Sequence, residues 1–306
     1  MISKFRIGAL VIILNFFASV AMIWGQDNPS LLQMAVPSLN IAPDARGGGM
    51  GDMGAATLPD INSQYWNAAK YAFMGSKAGV SLSYTPWLRK LVNDVALVNM
   101  TGYYKLGNSD LQAISASLRY FSLGEVNIWE NIGDVPYGLN PYEMAFDVAY
   151  SRKLSESYSM AVTLRYIRSD MGTDQNDESN AGNAFSADIS GYLEKYVLMG
   201  NAEALWSFGF NLSNIGSKIS YDGGNTNQYL PAKLTLGTGL LYPIDDYNQI
   251  GVYLDLNKYM VPYAPQKEEG ETDADYQTRV DDYKSWSSLS GMLKSFTDSP
   301  NGLLKM

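Results

Sequence analysis

From residue 78 onward the chain alternates apolar and polar residues in runs of about ten, separated by turn-forming residues, and this repeat confines it to β structure. The clearest run is 112–122, where Ile114, Ala116, Leu118 and Tyr120 take one face and Ser115, Ser117 and Arg119 the other. In 143–151, Met144, Phe146, Val148 and Tyr150 oppose Ala145, Asp147 and Ala149; in 159–168, Met160, Val162, Leu164 and Tyr166 oppose Thr163 and Arg165. Trp206, Phe208, Phe210 and Leu212 oppose Ser207, Gly209, Asn211 and Ser213, and Ile250, Val252, Leu254 and Leu256 oppose Gly251, Tyr253, Asp255 and Asn257. Weaker runs at 78–86, 95–106, 184–193 and 232–242 bring the predicted strands to nine.

Alternation fits a soluble sandwich as well as a membrane barrel. Three features favour the barrel. The runs match the roughly 9–11 residues that a tilted strand needs to cross a bilayer. Tyrosines recur near the strand ends, at Tyr84, Tyr104, Tyr120, Tyr150, Tyr166, Tyr192 and Tyr242, where aromatic girdles sit. The links also alternate in length: Leu106–Asp110, Lys153–Glu156 and Pro243–Asn248 are tight, whereas 123–142, 169–183, 214–230 and 259 onward are long and polar. Barrels of the bacterial outer membrane pair short periplasmic turns with long outer loops. The first link, 87–94, and the one near 194–203 are intermediate.

The flanks divide the chain further. Lys4 and Arg6 precede an apolar run from Ile7 to Trp24, and Gly25-Gln26 is the expected cleavage point of a signal peptide spanning 1–25. A permanent N-terminal membrane helix is the alternative. Residues 26–76 carry Pro37, Pro43, Pro59 and a glycine cluster without a sustained period, and read as a plug or periplasmic segment; 77–306 is the barrel. Nine strands is an odd number, whereas single-chain bacterial barrels close with an even one. The acidic stretch 264–306, with Glu268, Glu269, Glu271, Asp273 and Asp275, brings no final amphipathic strand. The chain therefore reads as a C-terminally truncated copy.

Little in the sequence points to catalysis. There is no His and no Cys, which removes imidazole bases, thiol nucleophiles and the usual zinc sets. The net charge of -9 disfavours nucleic acid. Gly49-Met50-Gly51-Asp52-Met53-Gly54 matches a dinucleotide fingerprint, but Pro43-Asp44-Ala45-Arg46-Gly47-Gly48 before it is no strand and the chain after it is β; a tight plug loop with positive φ is expected instead. Paired acids in 264–282 lack a rigid pocket and read as a solvated loop. No metal or cofactor is implied.

The inward faces carry Arg119, Asp147, Arg165, Asp188, Lys233 and Asp255 in near alternation of sign. Such charges are expected to pair across neighbouring strands as a bracing ladder, with a selectivity lining as the alternative. On the ladder reading, swapping Arg119 and Asp147 rescues the damage of either single reversal.

Four stretches carry a resemblance: Asn40-Ile41-Ala42-Pro43-Asp44-Ala45-Arg46-Gly47-Gly48-Gly49-Met50-Gly51, Ser81-Leu82-Ser83-Tyr84-Thr85-Pro86-Trp87-Leu88-Arg89-Lys90-Leu91, Ala113-Ile114-Ser115-Ala116-Ser117-Leu118-Arg119-Tyr120-Phe121, and Ser213-Asn214-Ile215-Gly216-Ser217-Lys218-Ile219-Ser220-Tyr221. Together they resemble the PorV (LptO) family of the type IX secretion system. The resemblance implies an outer-membrane barrel of about fourteen strands, similar to the FadL fatty-acid transporters and closed by an N-terminal plug. It implies as partners a large translocon barrel, secreted cargo with a C-terminal signal domain and a surface sortase complex. FadL-like plugs often end in Asn-Pro-Ala, whereas Trp66-Asn67-Ala68-Ala69 lacks the proline. The plug motif expected to matter is Asp44, Arg46, Gly47, Gly49, Gly51 and Asn67. Trp87, Trp129, Tyr137, Asp174 and Asp177 are the expected outer contacts, because exposed aromatics anchor interfaces. A FadL-like channel for hydrophobic molecules is the competing function, and a purely structural barrel a third.

Overall fold

A computed structural model describes residues 32–297 except 88, 91–93, 108–109, 129–134, 173–180, 201, 225 and 269. The expected leader, 1–25, lies outside the described residues. The strands in chain order are β1 (Ala78–Pro86), β2 (Val95–Leu106), β3 (Gln112–Leu123), β4 (Val126–Ile128), β5 (Tyr137–Leu139), β6 (Tyr142–Lys153), β7 (Tyr158–Asp170), β8 (Gly182–Met199), β9 (Ala202–Gly216), β10 (Lys233–Pro243) and β11 (Gln249–Tyr259). All but β4 and β5 join one antiparallel sheet in the order β1-β2-β3-β6-β7-β8-β9-β10-β11. These nine strands coincide with the nine alternating runs. β4 and β5 form a small hairpin inside the long link between β3 and β6. β1 and β11 are the two edges of the sheet.

Antiparallel order sorts the links by end. Links 107–111, 154–157, 200–201 and 244–248 share one end, and 87–94, 124–141, 171–181 and 217–232 share the other. The link near 194–203, intermediate by sequence, is tight because β8 and β9 extend toward each other. No helix among the described residues is long and apolar enough to cross a membrane, which says nothing about strands.

Before β1, residues 32–76 lie across one face of the sheet as short turns: a 3₁₀ turn (Pro37–Asn40), α1 (Ala45–Gly49), α2 (Ser63–Trp66) and a second 3₁₀ turn (Ala68–Phe73). After β11 come α3 (Asp273–Ser285) and α4 (Ser288–Lys294), where a loop was expected. Thr272 and Ser287 accept hydrogen bonds from Asp275 N and Ser290 N, so both helices open with a side-chain cap.

Burial runs opposite to that of a soluble sheet. The apolar side chains point away from residues 32–76, a segment called the plug for its place against the sheet, and are bare: Val80 is 70% exposed, Leu164 65% and Val252 67%. The polar face is covered, with Asp147 at 1% and Asp188 at 3%. The apolar core lies between plug and wall. Ala35, Val36 and Leu39 meet Ala145, Ile167 and Ala184, while Ala68, Ala69 and Tyr71 meet Tyr103, Ala113, Ala149, Ala161 and Tyr192. Small wall residues let the plug backbone approach closely.

Candidate functional site

The plug is a chain with little regular structure, so its amide groups need partners from elsewhere. The wall supplies them, strand by strand. Ser38 is held on both sides: its N–H donates to Glu143 Oε2 at 3.1 Å, and its carbonyl accepts from Arg119 Nη2 at 2.8 Å. Arg119 Nη2 also donates to the Ile41 carbonyl at 2.8 Å, and the guanidinium stacks on the Tyr65 ring at 4.7 Å. Next to this clamp, Val36 sits at φ 52, a strained value for a β-branched residue. The Ala35 N–H, bonded to the Tyr229 carbonyl at 2.9 Å, fixes the approach.

A second seat holds Gly54–Ala56. Asp255 Oδ2 accepts from Gly54 N at 2.8 Å and Ala55 N at 3.0 Å, and Ser207 Oγ donates to the Ala56 carbonyl at 2.6 Å. Gly209 and Gly237 face each other across β9 and β10 beneath this stretch. A Cβ at Gly209 would overlap the Ala55 carbonyl oxygen, so only glycine leaves the slot open. Asn67 Nδ2 bridges the carbonyls of Ala55 and Gly191, both at 2.9 Å, joining plug to plug and plug to wall. Asn211 Nδ2 donates to the Trp66 carbonyl at 3.0 Å and Ser159 Oγ to that of Ala69 at 2.7 Å.

Within the plug, Asp44 caps α1 through Gly47 N at 2.8 Å and also accepts from Trp66 Nε1 at 2.8 Å. The Trp66 ring lies flat where a Cβ of Gly47 or Gly54 would be, which explains these two positions of the glycine cluster. Gly51 takes φ 79, the positive value expected of the loop. Gly49 meets no neighbour, and Arg46 pairs with Asp60 at 2.5 Å. Lys70 is fully buried and donates to the Gly54 carbonyl at 2.8 Å and Thr57 Oγ1 at 3.1 Å. Burial pulls its ammonium down to about 8, against the field of Asp60.

The six wall charges divide into two sets. Arg165 lies directly opposite Asp147 in the β6–β7 register and holds it with Nε at 2.7 Å and Nη2 at 2.9 Å. It holds Asp188 with Nη1 at 3.0 Å and Nη2 at 2.9 Å. Its Nη1 also donates to Asn214 Oδ1 at 2.5 Å, and Asn214 N donates to Asp188 Oδ1 at 2.7 Å. Asn214 sits at φ 59 where the β8–β9 pairing shifts register, so a bulge delivers that amide. Arg119, by contrast, faces Ala145 rather than Asp147, and spends its hydrogen bonds on the plug. The expected Arg119–Asp147 swap therefore has no pair to restore. Asp255 also serves the plug, and Lys233 faces Ser213. Arg119, Asn211, Lys233 and Asp255 line a cavity of about 20 Å³ between plug and wall.

At the end with the long links, the Trp87 N–H donates to the Val95 carbonyl at 2.9 Å and its ring is part exposed. The backbone of Tyr137 in β5 pairs with Ile128. Trp129, Asp174 and Asp177 lie outside the described residues. Sequence reasoning did not single out Glu143, Trp66, Lys70 or Asn214. Glu143 was within reach, since alternation puts it on the face of Asp147.

Fold and site define a class: an antiparallel β protein whose own N-terminal segment fills the polar face and whose apolar face is left bare. A family model described as Type IX secretion system protein PorV matches residues 25–267, and the chain belongs to that family. It is a component of the type IX secretion system. No curated protein matches the chain.

Proposed function

We propose that the chain is part of a FadL-like outer-membrane barrel that works by binding: it engages the translocon of the type IX system and carries cargo with C-terminal signal domains to the surface attachment complex. The observation that carries this reading is the inverted burial of the sheet. A bare apolar face stable in water would be unusual over so many strands, whereas hydrocarbon is its natural solvent. Strands of this length reach across a bilayer when tilted.

The wired plug supports a platform rather than a conduit. Wall side chains from β3, β6, β7, β9 and β11 bind its backbone at positions spread from Ser38 to Ala69. Binding then falls to the long links, with Trp87, Trp129, Tyr137, Asp174 and Asp177 as contacts. Leu139 of β5 lies against Gly172, at the start of the link after β7. No step in this role needs a catalytic group.

The test is a pull-down of protein tagged in a long link and extracted in mild detergent. Recovery of a very large barrel together with proteins sharing one C-terminal domain is the expected result. Recovery of the chain alone with bound lipid would replace this reading with a channel for hydrophobic molecules.

A further inference from the structure

We propose that α4 is an interfacial helix that rests on the lipid surface at the long-link end of the sheet. The inference rests on the lipid-facing reading of the apolar face. It concerns a segment beyond residue 267, where the family match ends.

The placement follows from the outward column of β11. Ile250, Val252, Leu254 and Leu256 are exposed along it, and Lys258 stands at its long-link end. Lys258 Nζ donates to the Ser295 carbonyl at 3.2 Å and lies 5.1 Å from the centre of the Phe296 ring. Met292 packs with Ala232 and Met260, beside Leu212, Leu234 and Phe296. Leu212 and Leu234 belong to the outward faces of β9 and β10. The chain after β11 thus folds back onto the outside of the sheet, at the level where the apolar columns end.

Having spent Met292 on the sheet, α4 leaves Leu289 and Leu293 bare at 63% and 72% exposure. One helical turn apart, they share a side. They belong to the helix whose Met292 rests by the outward faces of β9 and β10, which assigns them the same solvent as those faces, lipid. The flanks agree: Lys294 Nζ lies 3.4 Å from the centre of the Trp286 ring. An amphipathic ring with a cation, joined by Lys258, suits the headgroup layer and its phosphates. The preceding helix draws the boundary from the water side. α3 has no buried residue and carries Asp273, Asp275, Asp281 and Asp282. It stays out of the bilayer, and Trp286 marks the crossing.

The chain has no Cys, so single labels need no background correction. Leu254→Cys, Leu289→Cys, Leu293→Cys and Asp281→Cys proteins would each carry a bimane fluorophore and be reconstituted into vesicles of phosphatidylcholine with brominated acyl chains. Labels at 254, 289 and 293 are expected to lose fluorescence to the bromines, and the label at 281 to keep it. Quenching at 254 with none at 289 and 293 would overturn the role of α4 and leave the membrane reading standing. Labels at 289 and 293 shielded from both brominated lipid and aqueous iodide would assign the face to a protein and overturn it equally. No quenching at 254 would bring down the membrane reading and this inference with it.

Discussion

The Arg165 cluster and the Gly54–Ala56 seat occupy the same covered face of the same sheet, yet they are held by opposite means. Arg165 joins two carboxylates from the strands on either side of it, wall to wall. The seat joins wall to plug through single hydrogen bonds and the absence of side chains at Gly209 and Gly237. One surface thus does two jobs. Paired charges brace the wall against itself, while unpaired polar groups are free to hold a guest backbone. Arg119 belongs with the second set despite its charge, because register places it beside Ala145.

The contrast can be broken first at Arg165. Arg165→Met strands Asp147 and Asp188 in a buried site, and the loss of a buried partner of this kind costs about 3–5 kcal/mol. The change should appear as a lower urea midpoint in detergent, affecting strands and plug together. Arg165→Met combined with Asp147→Asn and Asp188→Asn should recover most of that loss.

Arg119→Leu acts on the guest rather than the wall. It removes charged hydrogen bonds to two plug carbonyls, a loss of about 1.5–3 kcal/mol for such a bond. Limited proteolysis should then cut within 32–43 while the strands stay intact. Equal loss of wall and plug would show that Arg119 braces the sheet after all.

Gly209→Ala should displace the Ala55 carbonyl at an overpacking cost of about 1–3 kcal/mol. Gly49→Ala, whose Cβ would meet open space, should not move the plug. Protease protection of 44–60 separates the two, and similar behaviour of both variants would refute the close-approach argument.

A pH dependence completes the series. Lys70 falls to about 8 in the folded protein from an ordinary 10.5. Between those values the unfolded chain binds more protons than the folded one, so stability rises with pH across that window; below it the full penalty remains. Tyr71, pushed up by burial, acts in the opposite sense as pH nears 10, where the unfolded phenol ionises and the folded one does not. Plug protection should therefore improve from about pH 8 to pH 10, and Lys70→Met should flatten the rise.

What could be read from the chain beforehand was what period two carries. Each strand of the sheet exposes an apolar column such as Val162–Leu164–Tyr166, and nine such columns are visible without coordinates. Pairing register was not, because alternation assigns a face but not a partner; Arg119 and Asp147 share a face and still miss each other. β4 and β5 are three residues each, too short to show a period. α3 carries only a thin stripe of Tyr276, Val280 and Tyr283 among charged neighbours, a weak signal to read, although Thr272 and Asp275 spell its cap. The plug was legible as a glycine-rich irregular segment, but the fit of Trp66 over Gly47 and Gly54 is tertiary and has no local signal.

On the proposed reading, one face of the sheet meets lipid and the other the plug. A nitroxide scan along β7, one position at a time from Met160 to Arg168 in phosphatidylcholine vesicles, tests it most directly. Oxygen, which concentrates in hydrocarbon, should reach Met160, Val162, Leu164 and Tyr166, while Ala161, Thr163, Arg165 and Ile167 remain closed to oxygen and to a water-soluble nickel complex alike. Nickel reaching Val162 and Leu164 would mean that the apolar face stands in water, and the account would be wrong.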